Sequence, residues 1–430
     1  MQNLQNHLHF DTIAVNGGYQ TEATTKVTKP PIYMSNAYAF DSAEHAARLF
    51  SLEESGNIYT RLNNPTTDVL EQRVAALDNG VAALAFSSGH AAMFAAFTNL
   101  ANAGDEIVAS AQIYGGAINM MGVTLDRLGI KVTFVDVSDL QAWEQAITEK
   151  TKALFFEVVG NPNANVADIE AIAEIGHRHG VPVIVDSTFT TPYLCRPLEH
   201  GADYVIHSAT KFLGGHAAAM AGIVVDGGSF DFKGNPRFPL YNEPDVSYHG
   251  LVFADLGATA FITRLRTLGL RDLGSCISPF NSFLILQGIE TLSLRMERHC
   301  QNAMAVAEFL ENHPLVTQVN YPGLASSPYK DLVDRYLPLG AGAVFTFELK
   351  GGREAGAKFI NNLQVFCHCA NVGDVRSLVS HPASTTHSQL SAEQLAAAGI
   401  SSGLVRLSIG IEDVRDLIAD LDQAINAAHA

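Results

Sequence analysis

Lys211 is the only lysine between Lys152 and Lys233, and hydroxyl residues flank it in the run Ser208-Ala-Thr210-Lys211-Phe-Leu-Gly214-Gly215. A lysine withdrawn from water loses proton affinity and becomes an amine nucleophile able to condense with an aldehyde. The alternative is a solvated lysine on a glycine-rich loop. Upstream, Asp186 closes the apolar run Val183-Ile-Val-Asp186-Ser-Thr188-Phe. A carboxylate in that position calls for a cationic partner, unless it serves a turn or a metal. A third feature is Ser87-Ser88-Gly89-His90-Ala91-Ala92, between an apolar run and an alanine-rich stretch. Where a strand turns into a helix, free backbone N–H groups and the positive helix end converge on one spot that suits an anion. The same residues would also make an ordinary turn, with serine as N-cap and glycine for close packing.

These three features need elements that bring them together. From about residue 65 to 260 short β-branched runs alternate with helical patterns, as in an α/β domain with a largely parallel sheet. The expected strands are Ala82–Phe86, Glu106–Ala109, Lys131–Val135, Ala153–Val158, Pro182–Asp186, Tyr204–Ser208 and Gly222–Val225. Asp186 and Lys211 then follow successive strands, where open α/β sheets present their sites. Residues 168–179 place Ile169, Ile172, Ala173 and Ile175 on one helical face, with Gly180 as the stop. The polar stretch Phe230 to Gly250 reads as a domain connection, followed by a long apolar helical region from Leu251 to about Glu311. The remainder is α+β, with strands expected at Ala343–Leu349 and Val405–Ile409 and a closing amphipathic helix. An anion cradle, a strand-end carboxylate and an amine together match pyridoxal phosphate, which needs a phosphate anchor, a counter-ion for its protonated ring nitrogen and a lysine.

Other chemistries fall away. There is no GxGxxG, because Gly340-Ala-Gly342 is followed by Phe345, and no Gly-Lys dipeptide for a Walker A loop. No HExxH occurs, Cys367-His-Cys369 is too tightly spaced for a zinc knuckle, and His381 and His387 suit loop and capping roles, so no metal is expected. With 430 residues, 47% hydrophobic and 17% charged, the chain is globular, and its net charge of −17 disfavours nucleic acid and anionic membrane surfaces. The apolar run from Val81 to Phe97 is interrupted by Ser87, Ser88, Gly89 and His90 and reads as strand, turn and buried helix rather than a membrane span. The first 25 residues contain no lysine or arginine, and the cysteines are five, few and odd in number. Both point to a cytoplasmic protein with reduced thiols.

The motifs YTRLNNPT (59–66), SSGHAA (87–92), YGG (114–116), GNP (160–162), VDSTFTTPYL (185–194), HSATKFLGGH (207–216), SPFNSFLILQGIETLSLRMERH (278–299), NVGDVRSLVSHPASTTHSQL (371–390) and VRLSIGIED (405–413) carry a resemblance over nearly the whole chain. The sequence resembles the pyridoxal phosphate enzymes of Cys/Met metabolism, the cystathionine γ-synthase family, and most closely their O-acetylhomoserine sulfhydrylase branch. Asn371, HPASTTHSQL and the Phe230–Gly250 segment carry the branch assignment. The resemblance implies a fold-type I α/β transferase with a central, mostly parallel sheet and a smaller α+β C-terminal domain. Residues 1–62 would be an N-terminal segment reaching a neighbouring subunit's site, 63–260 the cofactor-binding domain and 261–430 the C-terminal domain.

Residue by residue, it implies that Lys211 binds the cofactor covalently, Asp186 pairs with its ring nitrogen and Thr188 lies near the ring. Ser88, Gly89, His90, Ser208 and Thr210 would hold the phosphate, with Tyr59 and Arg61 from a neighbouring subunit. Tyr114 would stack on the ring and take a proton from the substrate amine, and Asn161, Asn371 and Arg406 would hold a cofactor oxygen or the substrate carboxylate. The implied reaction is γ-replacement on O-acetyl-L-homoserine by sulfide or methanethiol, giving homocysteine or methionine. A methionine or homocysteine γ-lyase and a cystathionine γ-synthase are the alternatives. A homotetramer, as a dimer of dimers, is the implied assembly. The sequence departs from the family pattern at His90, at Ser187 and at Ala217 to Ala219.

Overall fold

Seven short runs rich in β-branched and apolar residues form β1 (Ala82–Phe86), β2 (Glu106–Ser110), β3 (Lys131–Val135), β4 (Thr151–Glu157), β5 (Val183–Asp186), β6 (Tyr204–His207) and β7 (Gly222–Asp226). In this computed structural model, which describes residues 8–382, 401 and 403–430, they make one sheet in the order β1-β7-β6-β5-β4-β2-β3. β7 runs antiparallel to both its neighbours and the other pairings are parallel. All seven strands lie within two residues of the expected bounds.

A mostly parallel sheet is covered on both faces, and the two-residue pleat sorts its side chains between them. Leu154 and Phe156 of β4 point into one core with Val183, Val185 and Val205, under the helices Pro65–Asp78 and Ile169–Arg178. Ala153 and Phe155 point into the other with Ile184 and Ile206, under the helix Gly89–Leu100. The helix Ile169–Arg178 buries the expected Ile169, Ile172, Ala173 and Ile175. Asp168 caps its start by accepting from the Ala171 N–H at 3.2 Å, and Gly180 takes a φ of +66° just beyond its end.

The C-terminal part builds a second sheet from β8 (Val316–Asn320), β9 (Val344–Leu349), β10 (Cys367–His368), β11 (Leu378–Ser380) and β12 (Leu404–Ser408), in the order β10-β11-β12-β9-β8. Phe345, Phe347, Val405 and Leu407 join the first core, so the second sheet packs as a continuation of the larger unit. The chain is α/β with a mostly parallel central sheet and a smaller α+β part, as expected. Among the described residues no helix is long and apolar enough to cross a membrane, and Val81 to Phe97 divides into β1, a turn and a buried helix.

Two expectations of the sequence reading give way. Phe230 to Gly250 is not a connection: Phe232, Phe238 and Tyr241 are buried in the second core, with Phe232 stacked on Tyr241 at 3.7 Å. Aromatic rings spaced among polar residues hide that burial from any simple periodicity. Nor is Leu251 to Glu311 one helical run. It breaks at Gly274, whose φ is +75°, and resumes at Pro279. The break carries Ser275 to the end of β1, where its carbonyl accepts from the Ser87 N–H at 2.8 Å. The interruption thereby supports the turn that opens the site.

Candidate active site

The parallel strands end on one edge of the sheet, where the last residues of β4 and β5 and the segment after β6 line a cavity of about 230 Å³. Glu157 ends β4 and Asp186 ends β5, directly paired in register, and Asp186 in turn pairs with Ile206 of β6. Asp186 Oδ1 accepts from the Thr188 N–H at 2.8 Å, while the Thr188 hydroxyl accepts from the Ser208 N–H at 2.8 Å. Glu157 accepts from the N–H groups of Tyr114 at 2.7 Å and Asn161 at 3.1 Å. Burial raises Asp186 above the usual carboxylate range, with the hydrogen bonds of Thr188 and then the nearby His207 and His90 opposing. Burial raises Glu157 much further, and the neighbouring Asp186 charge adds to it. Of the two side-by-side carboxyls, Glu157 is held further above the usual range, so it is the one that more readily takes a proton. Glu157 escaped the sequence reading; its position closing an apolar strand, like that of Asp186, was the available signal.

Lys211 follows β6 and projects into the cavity, its Nζ donating to Asn371 Oδ1 at 2.5 Å. Burial and then the Arg406 charge hold its pKa below the ordinary 10.5. Arg406 lies on β12 and is buried; one guanidinium nitrogen donates to Asn161 Oδ1 at 3.1 Å and another to the Asn371 carbonyl at 3.3 Å. Burial pushes it down to about 10. Its remaining donors suit a ligand carboxylate, which a planar guanidinium binds with two parallel hydrogen bonds. The site thus joins the ends of the large sheet to a strand of the small one.

The turn after β1 forms the cradle. Ser88 caps the helix Gly89–Leu100, its hydroxyl oxygen accepting from the Ala91 N–H at 3.1 Å. The N–H groups of Gly89 and His90 belong to the helix's first turn, which has no intrahelical acceptors for them. A side chain at Gly89 would bring its Cβ within 2.7 Å of the Ser208 Cβ, and one at Gly222 would meet the Ser88 carbonyl at 2.0 Å. Only glycine permits this approach of turn to strand. Thr210 lines the cavity, but its hydroxyl donates to the Ala221 carbonyl at 3.1 Å and accepts from the Ala221 N–H at 3.0 Å. Its first task is to fasten β7 to the lysine loop. Tyr114 sits over the opening, edge-on to the His90 ring at 5.5 Å.

Tyr59 and Arg61 stand apart from this cavity. Arg61 lies 5.5 Å from the Tyr59 ring centroid and donates to the Arg271 carbonyl, and Tyr59 is exposed. Most of HPASTTHSQL, from residue 383, lies outside the described residues, and His387 with it.

The residues present fit pyridoxal phosphate. Asp186 is a carboxylate in the cavity with no ion-pair partner among the described residues, as a protonated ring nitrogen requires. The helix start offers N–H donors for a phosphate, and Lys211 supplies the amine between them. An α/β sheet with this lysine, carboxylate and cradle at its strand ends defines a pyridoxal phosphate-dependent enzyme.

The family model described as Cys/Met metabolism PLP-dependent enzyme matches residues 11–426, and the chain belongs to that family. It is 50% identical to an O-acetyl-L-homoserine sulfhydrylase of Leptospira meyeri over 425 residues, 96% of each chain. It is 49% identical to a homocysteine synthase of Schizosaccharomyces pombe, covering 98% of this chain and 99% of that one. A Campylobacter jejuni crystal structure carrying N'-pyridoxyl-lysine-5'-monophosphate superposes with a TM-score of 0.96 at 43% identity, over 97% of this chain and 100% of that chain. Pyridoxal 5'-phosphate is the cofactor.

Proposed function

We propose that the protein catalyses γ-replacement, converting O-acetyl-L-homoserine and sulfide or methanethiol to L-homocysteine or L-methionine and acetate. What carries this reading is the full-length likeness, at about half identity, to relatives named for that activity. The site's chemistry supports it. When bound, pyridoxal phosphate supplies the electron-withdrawing ring that makes the hydrogens on Cα and then Cβ of an amino acid acidic.

Lys211 Nζ would hold the cofactor covalently and, as a free amine, would serve as the base at Cα. A lowered pKa makes it more often neutral and able to take that proton. Asn371 Oδ1 orients this amine. Asp186 would keep the proton on the ring nitrogen, and Glu157, raised further, would leave that role to it. Arg406, steadied by Asn161 and by the Asn371 carbonyl, binds the substrate carboxylate. Tyr114, which lines the cavity, would stack on the ring and take the proton of the incoming amine, with Thr188 also near the ring. Ser88, Gly89, His90 and Ser208 would hold the phosphate, with Tyr59 and Arg61 of a neighbouring subunit, while Thr210, bonded to Ala221, would shape the loop beside it. The C–O bond at Cγ breaks with release of acetate, and the C–S bond forms at the same carbon. The location is cytoplasmic and the assembly a homotetramer built from dimers that share their sites.

One assay tests the reading. Purified protein is mixed with O-acetyl-L-homoserine and sulfide, and homocysteine, acetate and 2-oxobutyrate are quantified. Homocysteine matching acetate is expected; 2-oxobutyrate equal to or above homocysteine at saturating sulfide would make the protein a γ-lyase.

A further inference from the structure

We propose that Cys367 and Cys369 form a reversible disulfide at the edge of the active site, a modification site through which a small-molecule disulfide turns the enzyme off. The pair occupies and follows β10, a two-residue strand at the outer edge of the second sheet. The Cys367 N–H donates to the Ser377 carbonyl at 2.9 Å and the Cys369 N–H to the Val379 carbonyl at 3.3 Å, so both continue one parallel ladder. Residues two apart in a strand point to the same face. The thiols accordingly share one face, near enough that Cys367 adds to the burial that raises the Cys369 thiol. Cys367 is exposed and Cys369 partly so, and both are reduced.

Their position gives the bond a consequence. Cys369 is close enough to Lys211 and Arg406 to influence the charge of both. Two residues on, Asn371 receives Lys211 on its side chain and Arg406 on its carbonyl. Extended backbone separates alternate Cα atoms by roughly 6.6 Å, near the upper end of the range of about 4.4–6.8 Å that a disulfide spans. Closing the bond draws Cys369 toward Cys367 and pulls on the segment that holds Asn371. A strained, exposed disulfide is also an easily reduced one, which suits a switch.

The chemistry balances as two thiol–disulfide exchanges. The Cys367 thiolate attacks the oxidant's S–S bond and releases one thiol. The Cys369 thiolate then attacks the Cys367 sulfur of the mixed disulfide and releases the second. The two cysteines lose two protons and two electrons, and the oxidant is reduced to two thiols. Cys195 and Cys300 are buried out of an oxidant's reach, and Cys276, partly exposed beside Phe86 at the end of β1, has no cysteine two residues away to resolve a mixed disulfide.

The test treats the holoenzyme with oxidised glutathione, removes the reagent, alkylates free thiols and digests with trypsin. Residues 359–376 form one fragment that contains these two cysteines and no other. The expected fragment is unalkylated and two hydrogens lighter, most activity is lost, and a dithiol reductant restores it. Cys367→Ser should retain activity throughout and show neither change. A fragment alkylated at both positions, a glutathione adduct that persists on Cys367, or a disulfide formed without loss of activity would each overturn the proposal.

Discussion

At the scale of single residues, two carboxyls end neighbouring strands, and burial does not raise them equally. Glu157 and Asp186 are paired in register, and burial raises both. Because Glu157 is the more strongly raised of the two, Glu157→Gln should leave kcat within a few-fold. Asp186→Asn should lower it by about a hundredfold or more, since stranding one partner of a buried charge pair costs about 3–5 kcal/mol. Comparable effects of the two substitutions in steady-state assays would reverse the assignment. Lys211 allows a second expectation. Borohydride reduction of the loaded enzyme should fix the cofactor on Lys211, read by peptide mass. Its pKa lies below 10.5, and the reactive form is the neutral amine. The rate at which the cofactor-free protein takes up pyridoxal phosphate should thus rise toward its plateau at a lower pH than an exposed lysine would give. A profile centred at 10.5 or above would contradict the burial.

At the scale of elements, the helix Pro65–Asp78 is tied to the end of β6 by Asp78 and His207, 2.7 Å apart and both fully buried. Burial alone would lower the histidine, but Asp78 and then Asp186 raise it above 6.5. A raised folded pKa means that this contribution to stability is complete below the unfolded value near 6.5 and is lost as pH rises through the folded one. Asp78→Asn should therefore cost about 1–3 kcal/mol. The gap from the parent, measured by denaturant unfolding, should be widest below pH 6.5 and narrow in alkali. A gap that grows with pH would sink the charge assignment. This pair was invisible in the sequence: 129 residues separate its members, and neither stands in a motif with the other. The strands were legible because β-branched runs alternate with helical patterns. The Phe230–Gly250 segment was not, because its buried rings follow no period.

At the scale of the whole molecule, the N-terminal arm leaves Met34 71% and Phe50 60% exposed, more than a monomer's surface favours. Tyr59 and Arg61 at its end stand outside their own chain's cavity. Closed symmetry would make each subunit both donor and recipient of that arm. Arg61→Ala and Lys211→Ala, each inactive alone, should complement when co-expressed, because one site of a mixed dimer then has both residues intact. Mixed oligomers, verified by mass, that stay as inactive as their parents would show that each chain builds its own site.

The sequence by itself determined the α/β alternation, the strand ends that bear Asp186 and Lys211, and the glycine-bearing turn at Ser88. Each of these is written in local patterns a few residues long, which dihedral preference and burial period translate directly into structure. Tertiary structure alone decided that Asn371, in the loop between β10 and β11, meets both Lys211 and Arg406 of β12, that Glu157 is raised further than Asp186, and that the Thr210 hydroxyl is committed to Ala221. The reason is physical. Distances of a few ångströms between residues far apart in the chain, and the loss of water around them, set hydrogen bonds and charge states that no local pattern encodes.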